Sequence, residues 1–172
     1  PRTSHELAVI NQFYTPDWIV KFLVDNTLGR VWLQMHPDTK LYWLNRIPAE
    51  YRDMPREQIP PEVRDAEIFQ GERGVNIDYL VPDTGEDEPI DLKPVSEITL
   101  LDPACGTMHF GQYAYSLYYE MYLEELEHAH QDGWPRQASV PGSKAVPNAI
   151  LEHNLHGIDI DERAIQIAAL TL

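Results

Sequence analysis

Two short stretches of this sequence place reactive side chains where a ligand could meet them. "DPACG", Asp102 to Gly106, sets an acid, a proline, the chain's single cysteine and a glycine after an apolar run. "GIDID", Gly157 to Asp161, sets two acids after another. A turn of small residues lets the backbone approach a ligand closely, and an acid ending the neighbouring strand accepts hydrogen bonds from two ribose hydroxyls. Asp159 is that acid by position. The dinucleotide fingerprint G-x-G-x-x-G is absent, because Thr107, Met108 and His109 follow Gly106. An acidic neighbourhood also suits a pyrophosphate poorly. An adenosyl ligand without phosphates and with a positive centre fits better, and S-adenosylmethionine has both properties.

The elements that must hold these turns follow from patterning. "EITLLD" reads as a buried strand ended by Asp102-Pro103, and "LHGIDI" as a second. Between them Phe110, Ala114, Leu117 and Met121 recur at i, i+4, i+7 and i+11, predicting a long helix to about His130. "DGWPRQASVPGSKAVP" is a loop by composition, "NAILEHN" a short helix, and "DERAIQIAALTL" a last helix with Asp161 as N-cap. Strand, helix, strand and helix in that order imply α/β class with a parallel, doubly wound sheet, whose ligands sit at the carboxyl ends of strands. Both unusual turns fall there.

Upstream, "YTPDWIVKFLVDNTLG" predicts a helix. Thr15 reads as its N-cap, Pro16 and Asp17 open it, Trp18, Ile19, Phe22 and Leu23 form an apolar stripe, and Gly29 offers a stop, with "RVWLQM" a further turn or two. Residues 38–97 hold half of the 14 prolines and read as an irregular insertion. Within it "YWLNRI" and "EVRDAEIF" predict short helices, while "GVNIDYLV" and "PIDLKPV" predict a hairpin about the acidic turn "PDTGEDE". The chain divides into 1–37, 38–97 and 98–172 within one incomplete domain, and both ends look cut from something longer.

A formal charge of −15, from 13 basic and 28 acidic residues, argues against this chain being the main nucleic-acid surface. A single cysteine and the absence of a long apolar run point to a cytoplasmic setting without membrane contact. Cys105 needs no catalytic role, since a small residue in a tight turn explains it. His128 and His130, two apart on a helix, point to different sides and do not read as a metal pair. The five tyrosines from Tyr113 to Tyr122 read as helix packing rather than base stacking.

"QFYTPDWIV", "LLDPACGTMHF" and "LHGIDIDERAIQIAALTL" together resemble three successive motifs of DNA adenine-N6 methyltransferases. The likeness is nearest to the large enzymes of type IIG restriction-modification and BREX-type phage-defence systems. It implies a partial Rossmann-like class I fold binding S-adenosylmethionine. It places Tyr14, Thr15 and Pro16 at the methionine end, and Asp102 at the cofactor's amino group. Ala104, Cys105, Gly106 and Thr107 become the backbone cradle, with His109 and Phe110 beside it. Asp159 takes the ribose and Ile160 the adenine ring. The usual pattern has a second glycine where Met108 stands.

The resemblance implies methyl transfer to adenine N6 through an Asn-Pro-Pro-Tyr motif, with no metal. No Asn-Pro occurs here, so no catalytic residue is assigned and the chain alone is expected to be inactive. Double-stranded DNA would be bound by regions outside it. Open sheet edges predict marginal stability or self-association. A non-catalytic cofactor-binding module and an RNA or protein methyltransferase remain as alternatives.

Overall fold

The computed structural model describes residues 15–66, 73–81 and 90–172. The expectations for Tyr14, for the turn at 82–88 and for the end of "EVRDAEIF" lie outside them.

The first helix is one rod of three parts: α1 (Asp17–Val24), a π-turn (Asp25–Gly29) and α2 (Arg30–Met35). Its N-cap is Pro16, whose carbonyl accepts from Ile19 and Val20 N–H at 2.9 and 3.2 Å. Thr15 therefore stands one residue too early to cap it, a correction to the sequence expectation. The buried stripe is Val20, Val24, Leu28, Trp32 and Met35, while Trp18, Phe22 and Leu23 face outward. Two apolar stripes share this helix, and periodicity cannot choose between them. Asp25 decides, because its carboxylate must turn inward to partners described below. Gly29 does not stop the rod. It lets Ile77 come close, since a Cβ there would lie 3.1 Å from Ile77 Cγ2.

The insertion contains 3-10 turns at Trp43–Arg46, Ala49–Tyr51 and Arg56–Gln58 and the short helix α3 (Pro61–Ala66). Among the described residues its extended part pairs with Tyr42 rather than with residues 90–95. Ile77 makes a single parallel bridge with Tyr42, its N–H donating to Leu41 O at 2.8 Å.

The core is α/β. β1 (Leu100–Asp102) and β2 (Leu155–Gly157) form a parallel pair in the register Leu100–Leu155, Leu101–His156, Asp102–Gly157. β1 is shorter than predicted because Val95–Glu97 forms a 3-10 turn before it. Between the strands run α4 (His109–His128), a loop, α5 (Val146–Ala149) and a π-turn (Ile150–Asn154). α6 (Glu162–Thr171) follows, capped as predicted by Asp161 Oδ1, which accepts from Arg163 N–H at 2.9 Å. Ala114, Leu117, Tyr118, Met121 and Tyr122 of α4 are fully buried, so the tyrosines do pack. Asn154 ties the layers. Its Nδ2 donates to Val95 O and Ile98 O at 2.7 and 2.8 Å, and its Oδ1 accepts from Tyr122 Oη at 2.9 Å. Leu100 and Leu155 face this core, whereas Leu101 and Ile158 on the other side of the sheet are each 58% exposed.

Candidate functional site

The two turns meet at the carboxyl ends of the paired strands. The ladder continues one step past β1: Ile158 N–H donates to Asp102 O at 2.9 Å and Cys105 N–H to Ile158 O at 3.0 Å. The proline after Asp102 then forces a turn, which the Asp102 carboxylate closes by accepting from Ala104 N–H at 3.1 Å. Gly106 follows at φ +52°, a left-handed conformation that glycine adopts without cost, and nothing lies within 4 Å of where its Cβ would be. The backbone there faces open space.

Asp159 crosses to this turn. Its Oδ2 accepts from Gly106 N–H and its Oδ1 from Asp161 N–H, both at 2.8 Å. The Asp161 amide, then that of Gly106, hold its carboxyl below the ordinary carboxylate range, so it is charged at neutral pH. Each oxygen retains a lone pair for a further donor. Asp159 thus locks the turn and still presents acceptors outward.

Cys105 turns the other way. It is buried, and burial first, with the nearby Asp102 and Asp159 carboxylates, raises its thiol above the ordinary value. Such a thiol is a poor nucleophile. Thr107, His109 and Phe110 are half-buried, Pro16 and Ala104 are exposed, and Ile160 is fully exposed next to Asp159. An isoleucine left wholly in water at a strand end is an apolar surface free to cover a flat ring.

The start of α1 comes to the same place. His109 Nε2 lies 3.3 Å from Asp17 Oδ1, across a cavity of about 260 Å³ lined by Asp17, Val20, Lys21, His109, Gln112 and Tyr113. Thr15 and Pro16 immediately precede Asp17, so this contact brings the chain that carries them to the first residue of α4. Deeper, Asp25 pins α1 to α4: its carboxylate accepts from Asp78 and Tyr79 N–H at 2.9 and 3.0 Å and from Tyr113 Oη at 2.9 Å. A larger groove, of about 720 Å³ between α2 and the insertion, includes Arg30, Tyr42, Trp43 and Arg56 but no predicted site residue.

Hydrogen bonds thus join Asp102, Ala104, Gly106 and Asp159 at one turn, with Cys105 bonded to Ile158 beside them, while His109 is the predicted residue that meets the start of α1, through Asp17. The sequence reading missed Asp17, Asp25 and the packing role of Met108. Asp17 reads only as a helix-start acid, and nothing in the local pattern marks Asp25. Met108 is buried at φ +66°, and only its place in the glycine pattern hinted at it.

No family model matches the sequence. Along 169 residues the chain is 32% identical to adenine-specific methyltransferase BrxX of Escherichia coli O9:H4 (strain HS), a match covering 98% of this chain and 11% of that protein. It is also 32% identical, over 169 residues, to adenine-specific methyltransferase PglX of Lacticaseibacillus casei (strain Zhang), covering 95% of this chain and 11% of that protein. The chain spans about one-ninth of the length of these curated relatives. Among the described residues no helix is long and apolar enough to cross a membrane.

Proposed function

This chain is similar along nearly its whole length to a segment of the BREX-type adenine-specific methyltransferases, and from that premise we propose that it is the S-adenosylmethionine-binding portion of a DNA adenine-N6 methyltransferase. The observation that carries the reading is the junction of the two turns, where Asp159 holds Gly106 N–H at 2.8 Å beside an open left-handed backbone.

The residues suit that cofactor. Asp159 offers charged acceptors for ribose hydroxyls, Ile160 an exposed apolar surface for adenine, and the 104–107 backbone a close, side-chain-free approach. Asp102 would meet the amino group of the methionine end. The first N–H groups of α1, those of Asp17 and Trp18, which have no partner among the described residues, suit its carboxylate. Bound there, the cofactor supplies an electrophilic methyl on a sulfonium. This chain's own part is to bind, orient and shield that end, since positioning supplies much of the rate in such transfers. The adenine-accepting groups, the duplex-binding surface and a completed doubly wound sheet belong in this reading to other parts of a longer protein. Its setting is the cytoplasm, in restriction-modification or phage defence.

The test is calorimetric titration of S-adenosylmethionine into the chain beside Asp159→Ala. Saturable binding that weakens at least tenfold in the variant supports the reading. A folded wild-type chain that takes up no cofactor, or a variant that binds equally well, refutes it.

A further inference from the structure

Met108 stands where the resemblance calls for a second glycine, and three features show how it manages there. Its backbone is left-handed at φ +66°, the conformation that a glycine would supply. Its side chain is only 3% exposed, turned away from the open side of the turn. Two glycines make room for it. A Cβ on Gly111, in the first turn of α4, would lie 2.5 Å from Met108 Cγ, and one on Gly157, at the end of β2, would lie 3.1 Å from Met108 Sδ and 2.9 Å from Cys105 Sγ. The two sulfur side chains therefore fill the space between β2 and α4 directly behind the turn.

We infer that Met108 is the positioning residue of the cofactor turn, a buried plug whose packing against Gly111 and Gly157 fixes the left-handed backbone and so aims the Gly106 amide at Asp159. In glycine-rich turns the required geometry comes from freedom at the glycine; here it comes from anchorage. A left-handed non-glycine residue is costly in isolation. Burial of an adaptable thioether against two bare α-carbons offsets that cost and selects one conformation. The exposed face of the turn stays bare because the side chain points inward. The inference about ligand binding rests on the cofactor reading above, but the plug itself does not.

The experiment is a cycle of Met108→Gly, Gly111→Ala and the double variant, with Met108→Leu as the conservative substitution. It is read by thermal unfolding and by solvent exchange of the Gly106 amide. The plug predicts that Gly111→Ala lowers Tm in the Met108 background and raises or leaves it unchanged in the Met108→Gly background, where the new methyl occupies vacated space. It also predicts faster Gly106 exchange in Met108→Gly, restored by Met108→Leu, at temperatures where every variant is folded. Cofactor affinity should fall about tenfold in Met108→Gly, the factor expected when the competent turn drops to roughly one-tenth of the population. Equal Tm losses from Gly111→Ala in both backgrounds, or unchanged Gly106 exchange, overturn the inference. If Met108→Gly does not fold, Met108→Ala takes its place in the same cycle. Changed exchange together with a wild-type chain that binds no cofactor leaves the plug standing and defeats only the cofactor reading.

Discussion

Replacing Asp25 tests whether the pin between α1 and α4 works as a neutral group. The side chain is fully buried, and its Oδ2 receives two backbone N–H groups, from Asp78 and Tyr79. Its Oδ1 faces Tyr113 Oη, which also lies 3.0 Å from Asn76 O. A tyrosine has one proton for these two acceptors. An ionised Asp25 leaves one of them short. A protonated Asp25, or an amide in its place, donates to Tyr113 Oη and frees the tyrosine proton for Asn76 O. Burial, the foremost cause, raises this carboxyl above its ordinary value of 3.8, in keeping with that geometry. Stability from the group is therefore complete below the ordinary value and is lost as pH rises through the folded value. Asp25→Asn does not titrate, so its stability relative to wild type should improve from about pH 4 toward neutrality. At pH 7 it should equal or exceed wild type, by up to about 1 kcal/mol. Asp25→Leu strands two part-buried N–H groups, at the low end of about 1–3 kcal/mol each, for a net loss of about 2 kcal/mol. Urea unfolding followed by circular dichroism from pH 4 to pH 8 reads all three proteins. A loss above about 2 kcal/mol in Asp25→Asn, with no pH trend, would refute the reasoning and show an ionised carboxylate well served by its donors.

Asn154 should be the least replaceable polar residue of the core. Asn154→Ala leaves the Tyr122 hydroxyl and two carbonyls without their partner and should lose about 3–5 kcal/mol, whereas Tyr122→Phe should lose about 1 kcal/mol. Comparable small losses in urea midpoints for both would contradict the network. Cys105 should react slowly with iodoacetamide in the native chain at neutral pH and faster only above its ordinary value of 9.0. Rapid labelling without unfolding would show the thiol is not held as described.

How much of this could be read in the sequence depended on whether local pattern or distant contact decided the outcome. The two turns, the α4 stripe, the Asp161 cap and the strand–helix order were legible because each is written in neighbouring residues. The orientation of α1 was not. Trp18, Phe22 and Leu23 are as apolar as Val20, Val24 and Leu28, and the choice was made by Asp25, whose partners lie more than fifty residues away. β1 is predicted from Glu97 because the β-branched Ile98 and Thr99 fit a strand, yet Val95–Glu97 is a 3-10 turn whose Val95 N–H goes to Glu125 Oε2 at 2.8 Å. Met108 shows the same limit. The sequence marks a missing glycine, but only the structure shows Gly111 and Gly157 making room for it.

Glu125 belongs to a pattern that alters what the acidic composition means. Among the described residues Asp25, Glu120, Glu124 and Glu125 are buried. Glu124 accepts from Trp32 Nε1, Thr39 Oγ1 and Lys40 N–H, Glu125 from Val95 and Ser139 N–H, and Glu120 from Arg73 N–H. A segment broken by prolines cannot satisfy its N–H groups in a ladder, and buried ones need acceptors. Carboxylates from the central helix supply them, so "YYEMYLEELEH", which reads as a half-solvated helix, is the anchor of the irregular insertion. Part of the acidic composition therefore serves as internal scaffolding. What remains outside is still strongly acidic, and Asp102, Asp159 and Asp161 cluster at the turn. A duplex approaching that mouth is repelled by it at physiological salt. In the proposed reading DNA is therefore gripped elsewhere and the base alone brought in, and an acidic mouth would favour a cationic, phosphate-free cofactor over a nucleotide.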